Sequence, residues 1–296
     1  MSALLRCLRP HQWCKNLLVA LPLLAAHRLT DGEAWLAVAL AFASFSLGAS
    51  AMYVLNDLRD RDADRQHPHK SQRPIASGEV SQGQALGMFT ICLLGSALIA
   101  LLLLPRAFLA CLIAYLVITT AYSMGLKRML MIDVLTLAAL YALRMLAGGA
   151  AVDVRISPWL LAFSMFLFLS IAFVKRYAEL RAIDLARDGR GDGAPGRAYQ
   201  VGDLDLIRTL GPTSGYMAAM IFALYLNSPD AQLLYPRVDW LWLICPLLIY
   251  WITRLWFAAQ RGEMHHDPVI FALRNPASYV VGALTLLVAA MASMAP

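Results

Sequence analysis

Charged side chains are scarce in this sequence. Asp, Glu, Lys and Arg make up 15% of the 296 residues, and hydrophobic residues make up 60%. Soluble domains usually contain about 25% charged residues. A soluble fold of this length cannot bury so much apolar surface, whereas a bilayer can accept it as helices of about 20 apolar residues each. The composition therefore predicts an integral membrane protein.

Cysteine is also scarce, and its spacing excludes two classes of site. The five cysteines are Cys7, Cys14, Cys92, Cys111 and Cys245, with no CxxC pair among them. We expect small buried hydrophobic residues rather than a disulfide framework or a cysteine metal site. No small-residue cleavage site follows the basic N-terminus, so a cleavable signal peptide is not expected.

Long apolar runs account for most of the chain. We count nine of them, at 14–29, 34–55, 84–104, 107–124, 129–151, 158–175, 206–226, 239–259 and 277–295. Each should be helical, because a helix satisfies its own backbone hydrogen bonds in lipid. The first is short and contains Pro22, which favours a kink or tilt. The sequence predicts one all-α transmembrane domain over residues 1–296, with a flexible cytoplasmic loop at 185–205.

The basic residues predict the orientation. With the N-terminus inside, the inner regions hold 20 of the 25 Lys and Arg residues and the outer loops hold four. This asymmetry indicates an inner-membrane protein with its N-terminus inside and its C-terminus outside. The net charge of +6 is explained by these inner loops, and no nucleic-acid partner is expected.

An acidic cluster follows the second apolar run. If the helix continues there, Asp57, Asp60 and Asp64 lie on one face, with Asn56 beside them. Three carboxylates at the edge of the hydrocarbon repel one another unless a cation binds them, and oxygen ligands suit Mg²⁺. The sequence predicts a magnesium site formed by these four residues. The alternative interpretation is a solvated charged loop with mixed ion pairs.

Basic residues follow the acidic cluster directly. Lys70 and Arg73 come after it, together with His67. Carboxylates for a metal next to cations for phosphate oxygens are what a diphosphate site requires. We therefore expect the cytoplasmic end of this span to bind a diphosphate.

Two other cytoplasmic segments carry candidate phosphate ligands. Arg9, Lys15 and Asn16 precede or open the first apolar run, and Tyr122 and Lys127 flank a tight turn between two spans. Their functional interpretation is contact with substrate phosphates. The alternative is that the basic residues among them only mark the cytoplasmic side.

The end of the sixth apolar run is basic. Lys175, Arg176 and Tyr177 are candidates for a second phosphate site, with Glu179 beside them. The alternative is a local ion pair between Lys175 and Glu179, which have helical spacing.

A few ionisable residues have less specific interpretations. Arg144 lies within the fifth run, where an arginine usually faces a cavity or a partner, and snorkelling to the outer surface is the alternative. Asp184 and Asp188 could form a second acidic pair. We do not expect the sequence His265-His266-Asp267 to bind a metal, because no further ligand lies near it.

At these residues the sequence resembles the UbiA superfamily of intramembrane prenyltransferases. The resemblance rests on Asn56-Asp57-x-x-Asp60-x-x-x-Asp64, on Arg73-Pro74-Ile75-Ala76-Ser77-Gly78, on Tyr122 with Lys127, and on the nine-span layout. It covers nearly the whole chain. It implies a helical bundle around a central cavity open to the cytoplasm, with Mg²⁺ holding a diphosphate leaving group.

Within the superfamily, the sequence is most similar to the decaprenyl-phosphate phosphoribosyltransferase branch. The similar stretches are Arg9-Pro10 with Trp13 and Lys15-Asn16, Asp64-Arg65-x-His67-Pro68-x-Lys70, and Lys175-Arg176-Tyr177-Ala178-Glu179-Leu180. The last stretch replaces a second aspartate-rich motif found in the aromatic-prenylating branches. A basic second cluster favours a second anionic substrate such as a polyprenyl phosphate.

The resemblance implies a reaction and residue roles. A 5-phosphoribosyl group would pass from phosphoribosyl diphosphate to a polyprenyl phosphate, with Asp57, Asp60 and Lys127 as catalytic residues. The anionic acceptor needs no general base, which agrees with the lack of a Ser/His or Cys/His constellation. The nearest alternative is prenyl transfer from a polyprenyl diphosphate to a small acceptor. A cation-coupled transporter is the distant alternative, but it would place its charges near mid-membrane.

Overall fold

The protein is built from α-helices joined by short 3-10 helices. The computed structural model describes residues 2–66, 70–185, 197–264 and 267–294. Its α-helices are α1 Ala3–Leu8, α2 Leu21–Ala25, α3 Gly32–Arg59, α4 Arg61–Arg65, α5 Pro74–Ser77, α6 Gln82–Leu103, α7 Arg106–Met124, α8 Ile132–Ala151, α9 Pro158–Leu185, α10 Leu204–Leu226, α11 Pro229–Leu234, α12 Ile244–Gln260, α13 Pro268–Arg274 and α14 Pro276–Ser293. The all-α prediction is confirmed for these ranges.

The helices form two compact units. The N-terminal unit comprises Met1–Gly125 and Leu143–Ile156, and the C-terminal unit comprises Leu126–Ala142 and Ser157–Pro296. Helix α8 therefore contributes its beginning to the C-terminal unit and its end to the N-terminal unit. The single domain predicted over 1–296 stays a prediction.

Seven of the nine predicted spans are long, apolar helices. Seven segments of the described chain are long and apolar enough to cross a membrane: Gly32–Arg59, Gln82–Leu103, Arg106–Met124, Ile132–Ala151, Pro158–Leu185, Val238–Gln260 and Pro276–Ser293. Many of their side chains are apolar and exposed, such as Ile91 and Leu102. Such surfaces suit contact with lipid, and the prediction of a multi-pass membrane protein is confirmed.

The other two predicted spans differ from a regular apolar helix. Residues 14–29 fall in a 3-10 helix, Pro10–Ala20, followed by the short helix α2. The prolines at 10 and 22 each remove a backbone donor, which disfavours one long α-helix here. The run 206–226 forms the regular helix α10, but polar residues and Pro212 lower its hydropathy. Nine spans, their orientation and a central cavity stay predictions.

Two predicted boundaries between the sixth and seventh apolar runs are wrong. Helix α9 does not close at Lys175 but continues to Leu185, because its last turns carry helix-compatible ion pairs such as Arg181 with Asp184 at 2.6 Å. The predicted loop at 185–205 ends earlier than expected, since Val201–Asp203 is a 3-10 helix and α10 begins at Leu204.

Small side chains allow the long helices to pack closely within each unit. In the N-terminal unit, Ser44 of α3 and Ser96 of α6 each donate to the other's carbonyl oxygen, at 2.9 and 2.8 Å. In the C-terminal unit, Ser170 of α9 donates to the Gly211 carbonyl at 2.7 Å and accepts from the Trp256 indole at 3.1 Å. These hydrogen bonds satisfy the buried hydroxyl and indole groups without disrupting the hydrogen bonds of the helix backbones.

Candidate active site

Three aspartates lie where α3 gives way to α4. Asp60 joins the two helices, and the helical hydrogen bonds continue across it: its amide donates to the Asn56 carbonyl at 2.9 Å, and its own carbonyl accepts from the Asp64 amide at 2.8 Å. Asp57 and Asp64 are buried, and Asp60 is half-buried. The chain therefore keeps the aspartates near the spacing that a continuous helix predicts.

Two arginines bind these carboxylates. Arg9 Nη2 lies 2.7 and 2.9 Å from the two carboxylate oxygens of Asp57. Arg73 Nη1 lies 3.1 Å from Asp57 Oδ1 and 2.7 Å from Asp64 Oδ2. Asp57 and Asp64 thus converge on one guanidinium nitrogen. Charge-assisted bonds of this kind are stronger than neutral ones, and they order the site.

The segment before the first predicted span positions Arg9. The Trp13 indole donates to Ser50 of α3 at 3.0 Å, and Ser50 donates to the Leu8 carbonyl at 2.9 Å. Arg9 has a left-handed backbone, with φ of 52°, and its guanidinium lies 5.1 Å from the centre of the Tyr53 ring. Such a backbone is uncommon in a residue other than glycine, and it persists because its surroundings fix it.

Arg73 is positioned by α5, the short helix that follows it. Ile75 of α5 is buried in an apolar cluster with Cys7, Val54, Val80 and Ala85. In addition, Arg65 of α4 donates to the Ala76 carbonyl at 3.0 Å. The residues Arg73-Pro74-Ile75-Ala76 therefore hold a basic side chain against α3 and α4 through an apolar anchor.

The carboxylates suit a magnesium ion that is shared with a substrate. Among the residues that the structure describes, no group of three or more His, Cys, Asp or Glu side chains is arranged to hold a metal. Mg²⁺ in phosphate-transfer sites commonly takes one or two carboxylates and completes its shell with water and phosphate oxygens. Asp57 and Asp64 already converge on one cationic nitrogen and fit that arrangement. They do not form an all-protein cage.

The remaining candidates in the N-terminal unit have different surroundings. Lys70 is exposed, and Asn56, Lys15 and Tyr122 are half-buried. Asn16 is buried away from solvent, where its amide donates to Ser46 at 3.1 Å and its carbonyl oxygen accepts from Arg144 at 2.8 Å.

Arg144 is buried inside the N-terminal unit. In addition to Asn16, its guanidinium contacts the Tyr115 hydroxyl at 3.1 Å and lies 4.7 Å from the centre of that ring. Its side chain faces protein partners, as one of the two interpretations of the sequence predicted, and does not reach toward the outer surface.

The candidates in the C-terminal unit differ in their burial and in their contacts. Lys127 is half-buried in the 3-10 helix Leu126–Arg128, and Lys175 lies 3.5 Å from Asp267. Tyr177 packs on Trp256 with ring centres 5.7 Å apart. Arg176 is fully buried and forms ion pairs with Asp133 and Glu179. The assignment of these four residues to substrate phosphates stays a prediction.

Sequence reasoning missed two residues that complete the Arg176 network. Arg197 lies 3.0 Å from Asp133 and 3.2 Å from Glu179, and the Tyr199 hydroxyl accepts from the Met131 amide at 3.1 Å. Burial raises the pKa of the Tyr199 phenol. No local pattern announces these contacts, because Arg197 and Asp133 are 64 positions apart. The single signal was Asp133 itself, an acid at the start of an apolar helix.

Some sequence predictions lie outside the described residues. They concern His67, Asp188, and the pair His265 and His266. Asp184, the other member of the proposed acidic pair, binds Arg181 on its own helix.

Comparison with known proteins identifies the family. Residues 17–275 match the model of the UbiA prenyltransferase family. A protein of Sinorhizobium fredii, y4nM, is 37% identical over 94% of this chain, and the chain spans about half of that protein's length, 53%. The decaprenyl-phosphate phosphoribosyltransferase of Mycobacterium tuberculosis is 35% identical over 93% of this chain and 88% of its own.

A solved structure has the same fold. A UbiA homologue from Archaeoglobus fulgidus bound to DMAPP and Mg²⁺ superposes with a TM-score of 0.69, covering 98% of this chain and 97% of its own. It is 18% identical, so the match shows the fold alone. Since the family match takes in the acidic cluster and most of both units, the chain belongs to the UbiA prenyltransferase family and is a membrane transferase.

Proposed function

We propose that this protein transfers a 5-phosphoribosyl group from phosphoribosyl diphosphate to a polyprenyl phosphate and releases diphosphate. The observation that carries the proposal is the similarity to the mycobacterial phosphoribosyltransferase, which extends over nearly the full length of both chains. The buried cluster of Asp57 and Asp64 with Arg9 and Arg73 supports it, because its mixed charges suit a metal-bound diphosphate.

The acidic residues would hold the magnesium ion. Asp57 and Asp64 supply carboxylate oxygens, and Asp60 and Asn56 lie next to them in the chain. When bound, the metal supplies positive charge to the departing diphosphate. The carboxylates orient that charge, and their burial keeps bulk water from screening it.

The arginines would bind the donor. Arg9 and Arg73 have partly exposed side chains, at 25% and 30%, so their guanidinium groups can reach a ligand as well as the aspartates. Arginine forms paired hydrogen bonds with phosphate oxygens. Lys70 would place positive charge near the departing diphosphate, and Lys127 would contact a substrate phosphate. In the transfer, the bond from ribose C1 to diphosphate breaks and a bond from C1 to an acceptor phosphate oxygen forms.

The lipid phosphate is the second anion. Lys175 is the best candidate to contact it, since its side chain is 29% exposed, whereas the side chain of Arg176 is fully buried. The acceptor is anionic before the reaction, so attack on C1 requires no general base. The sequence agrees with this, because its pattern offers no convincing Ser/His or Cys/His constellation.

The direct test is product formation by purified protein. Incubation with Mg²⁺, phosphoribosyl diphosphate and labelled polyprenyl phosphate should give a ribosylated lipid. Asp57→Asn should lower kcat/KM by about 100-fold or more, because it removes a negative charge that holds the metal ion, and the metal ion stabilises the transition state. If no ribosylated lipid forms with polyprenyl phosphates of any chain length, the proposal is overturned.

Asp62→Asn is the matched control. Asp62 lies in the same acidic stretch and carries the same charge, but its side chain is 90% exposed and its cationic neighbour Arg65 is 3.9 Å away. Its kcat/KM should stay within about twofold of the wild type, since exposed pairs contribute little. Equal losses in both variants would indicate a general charge effect rather than a site at Asp57.

A second candidate is prenyl transfer from a prenyl diphosphate to a small acceptor. It is favoured by the fold of the Archaeoglobus fulgidus homologue, whose structure was solved bound to DMAPP and Mg²⁺. Both reactions release diphosphate, so diphosphate release alone does not separate them. Supplying a prenyl diphosphate with an aromatic acid, in place of phosphoribosyl diphosphate with a lipid phosphate, does so through the product formed.

A further inference from the structure

We propose that Arg197 and Tyr199 are positioning residues for Lys127, acting through the turn that joins Lys127 to α8. All the residues concerned belong to the C-terminal unit. The inference rests on the proposed function in one respect, namely that Lys127 contacts a substrate phosphate. The structural part, that Arg197 and Tyr199 hold this turn in place, is independent of the reaction.

The turn has an unusual backbone. After the 3-10 helix Leu126–Arg128, the chain reaches Met131, which has a left-handed φ of 64°, and α8 then starts at Ile132. A side chain other than glycine in this conformation persists when the surroundings fix it. Here the Tyr199 hydroxyl accepts a hydrogen bond from the Met131 amide at 3.1 Å, and Tyr199 is buried.

Four charges fix the segment that carries Tyr199. Asp133, in the first turn of α8, is fully buried and binds Arg176 Nε at 2.8 Å and Arg197 Nη1 at 3.0 Å. Glu179 of α9 binds the same two arginines, with Arg197 Nε at 3.2 Å. Each arginine thus bridges both acids, and the four formal charges cancel. Removing one member leaves a buried charge without compensation, so the network acts as a unit.

The network therefore connects three elements. Arg176 and Glu179 lie on α9, Asp133 begins α8, and Arg197 precedes α10. The Arg176 guanidinium also lies 5.6 Å from the centre of the Tyr199 ring. Because Arg197 and Tyr199 are two residues apart, the ion pairs of the first hold the hydroxyl of the second against Met131. The position of Lys127, four residues before Met131, then depends on this segment.

Amide hydrogen exchange tests the structural part. In Arg197→Gln, the exchange rate of the amides of residues 126–131 should rise about tenfold. The reason is that local opening of this turn no longer has to break the ion pairs of Arg197, so its free-energy cost is lower. Tyr199→Phe should raise it less, about three- to tenfold, since it removes a single hydrogen bond. Arg197→Lys keeps the charge and should restore most of the protection. Arg208→Gln is the control, because Arg208 is exposed and its partner Asp205 lies 3.7 Å away in a local pair.

Steady-state kinetics test the link to Lys127. Arg197→Gln and Tyr199→Phe should raise KM for phosphoribosyl diphosphate about three- to tenfold while kcat changes less than about twofold. In a Lys127→Gln background the same changes should have no further effect on KM, because residues acting through one group are not additive. A role in general stability alone would lower the amount of active enzyme and leave KM unchanged.

The outcomes separate the two proposals. Unchanged exchange at 126–131 in both variants overturns the positioning role, even if the enzyme makes ribosylated lipid. Faster exchange with unchanged KM overturns the link to Lys127. If no ribosylated lipid forms with the wild type, the proposed reaction fails, and the exchange measurement still decides whether Arg197 and Tyr199 hold the turn.

Discussion

Asp57 is a buried carboxylate in contact with two arginines. Its side chain is 5% exposed, and both of its oxygens accept bonds from guanidinium groups, one from Arg9 and one shared with Arg73. Burying a carboxylate without such partners costs several kcal/mol. The two arginines therefore compensate the charge of a buried carboxylate, which is the type of ligand that a cation site requires.

Replacing Arg9 with lysine should weaken donor binding while leaving the fold intact. The ammonium group keeps the charge but cannot bind phosphate with paired hydrogen bonds from two nitrogens. We expect KM for phosphoribosyl diphosphate to rise about tenfold in Arg9→Lys, as measured by steady-state kinetics. Arg6→Lys is the control, since Arg6 is exposed and pairs with Glu79 at the surface. Similar KM values for the two variants would contradict a specific role of Arg9.

At the scale of elements, close packing of α10 depends on glycine. A Cβ atom on Gly211 would lie 1.9 Å from the ring of Trp256, a separation that no side chain can adopt. Trp256 is held by its bond to Ser170, which in turn binds the Gly211 carbonyl. The indole therefore has little freedom to move aside.

Gly211→Ala should destabilise the C-terminal unit. Forced overpacking of a core lowers the free energy of unfolding by about 1–3 kcal/mol, and a rigid ring places this site at the upper end. Gly282→Ala is the matched control, because nothing lies within 4 Å of its Cβ position in α14, and its better helix propensity contributes up to about 1 kcal/mol. Thermal unfolding in detergent measures both. Equal midpoints would show that Trp256 moves freely.

Sequence patterns predicted the long apolar elements because hydropathy is a local property. They did not predict the 3-10 helix Pro10–Ala20, where proline decides the backbone, or the continuation of α9 to Leu185, where charged residues at helical spacing look like the start of a loop. The candidate site divided in the same way. The convergence of Asp57 and Asp64 was predicted from their spacing, and their role in metal binding stays a prediction. The contacts of Arg197 could not be predicted, since its partner Asp133 is distant in the chain.

At the scale of the whole molecule, contacts within each unit indicate the paths of the two predicted spans that are not among the seven long apolar helices, residues 14–29 and α10. Trp13 binds Ser50 and Asn16 binds Ser46, so the segment after Arg9 runs antiparallel to α3. Arg9 lies at the end of α3 near Asp57, and the chain must reach Gly32 at the other end. Helix α3 has 28 residues, or about 42 Å by helical rise, which exceeds the hydrocarbon thickness. These contacts favour a membrane crossing by residues 10–31.

Helix α10 follows its neighbour in the same manner. Gly211 lies against Ser170 near the middle of α9, and near the far end Phe222 and Tyr225 face Phe163 and Trp159, with ring centres 6.2 and 6.5 Å apart. The helix therefore runs antiparallel to most of α9, which is itself long and apolar enough to span. If α9 crosses the bilayer, α10 crosses it in the opposite direction despite its lower hydropathy.

Site-specific labelling tests these crossings together with the orientation that the basic residues predict. Single cysteines are placed at four exposed positions in a cysteine-free background, and intact spheroplasts are treated with a membrane-impermeant maleimide. Leu29→Cys and Leu233→Cys should react in intact spheroplasts. Asp62→Cys and Gly202→Cys should react only after permeabilisation. The reason is that α3 lies between Leu29 and Asp62, and α10 lies between Gly202 and Leu233. If Leu233 is protected while Gly202 is also protected, α10 does not cross. If the two groups are exchanged, the side of the membrane that carries Asp57 faces outward. Cytoplasmic phosphoribosyl diphosphate could not reach Asp57 there, which would contradict the proposed reaction.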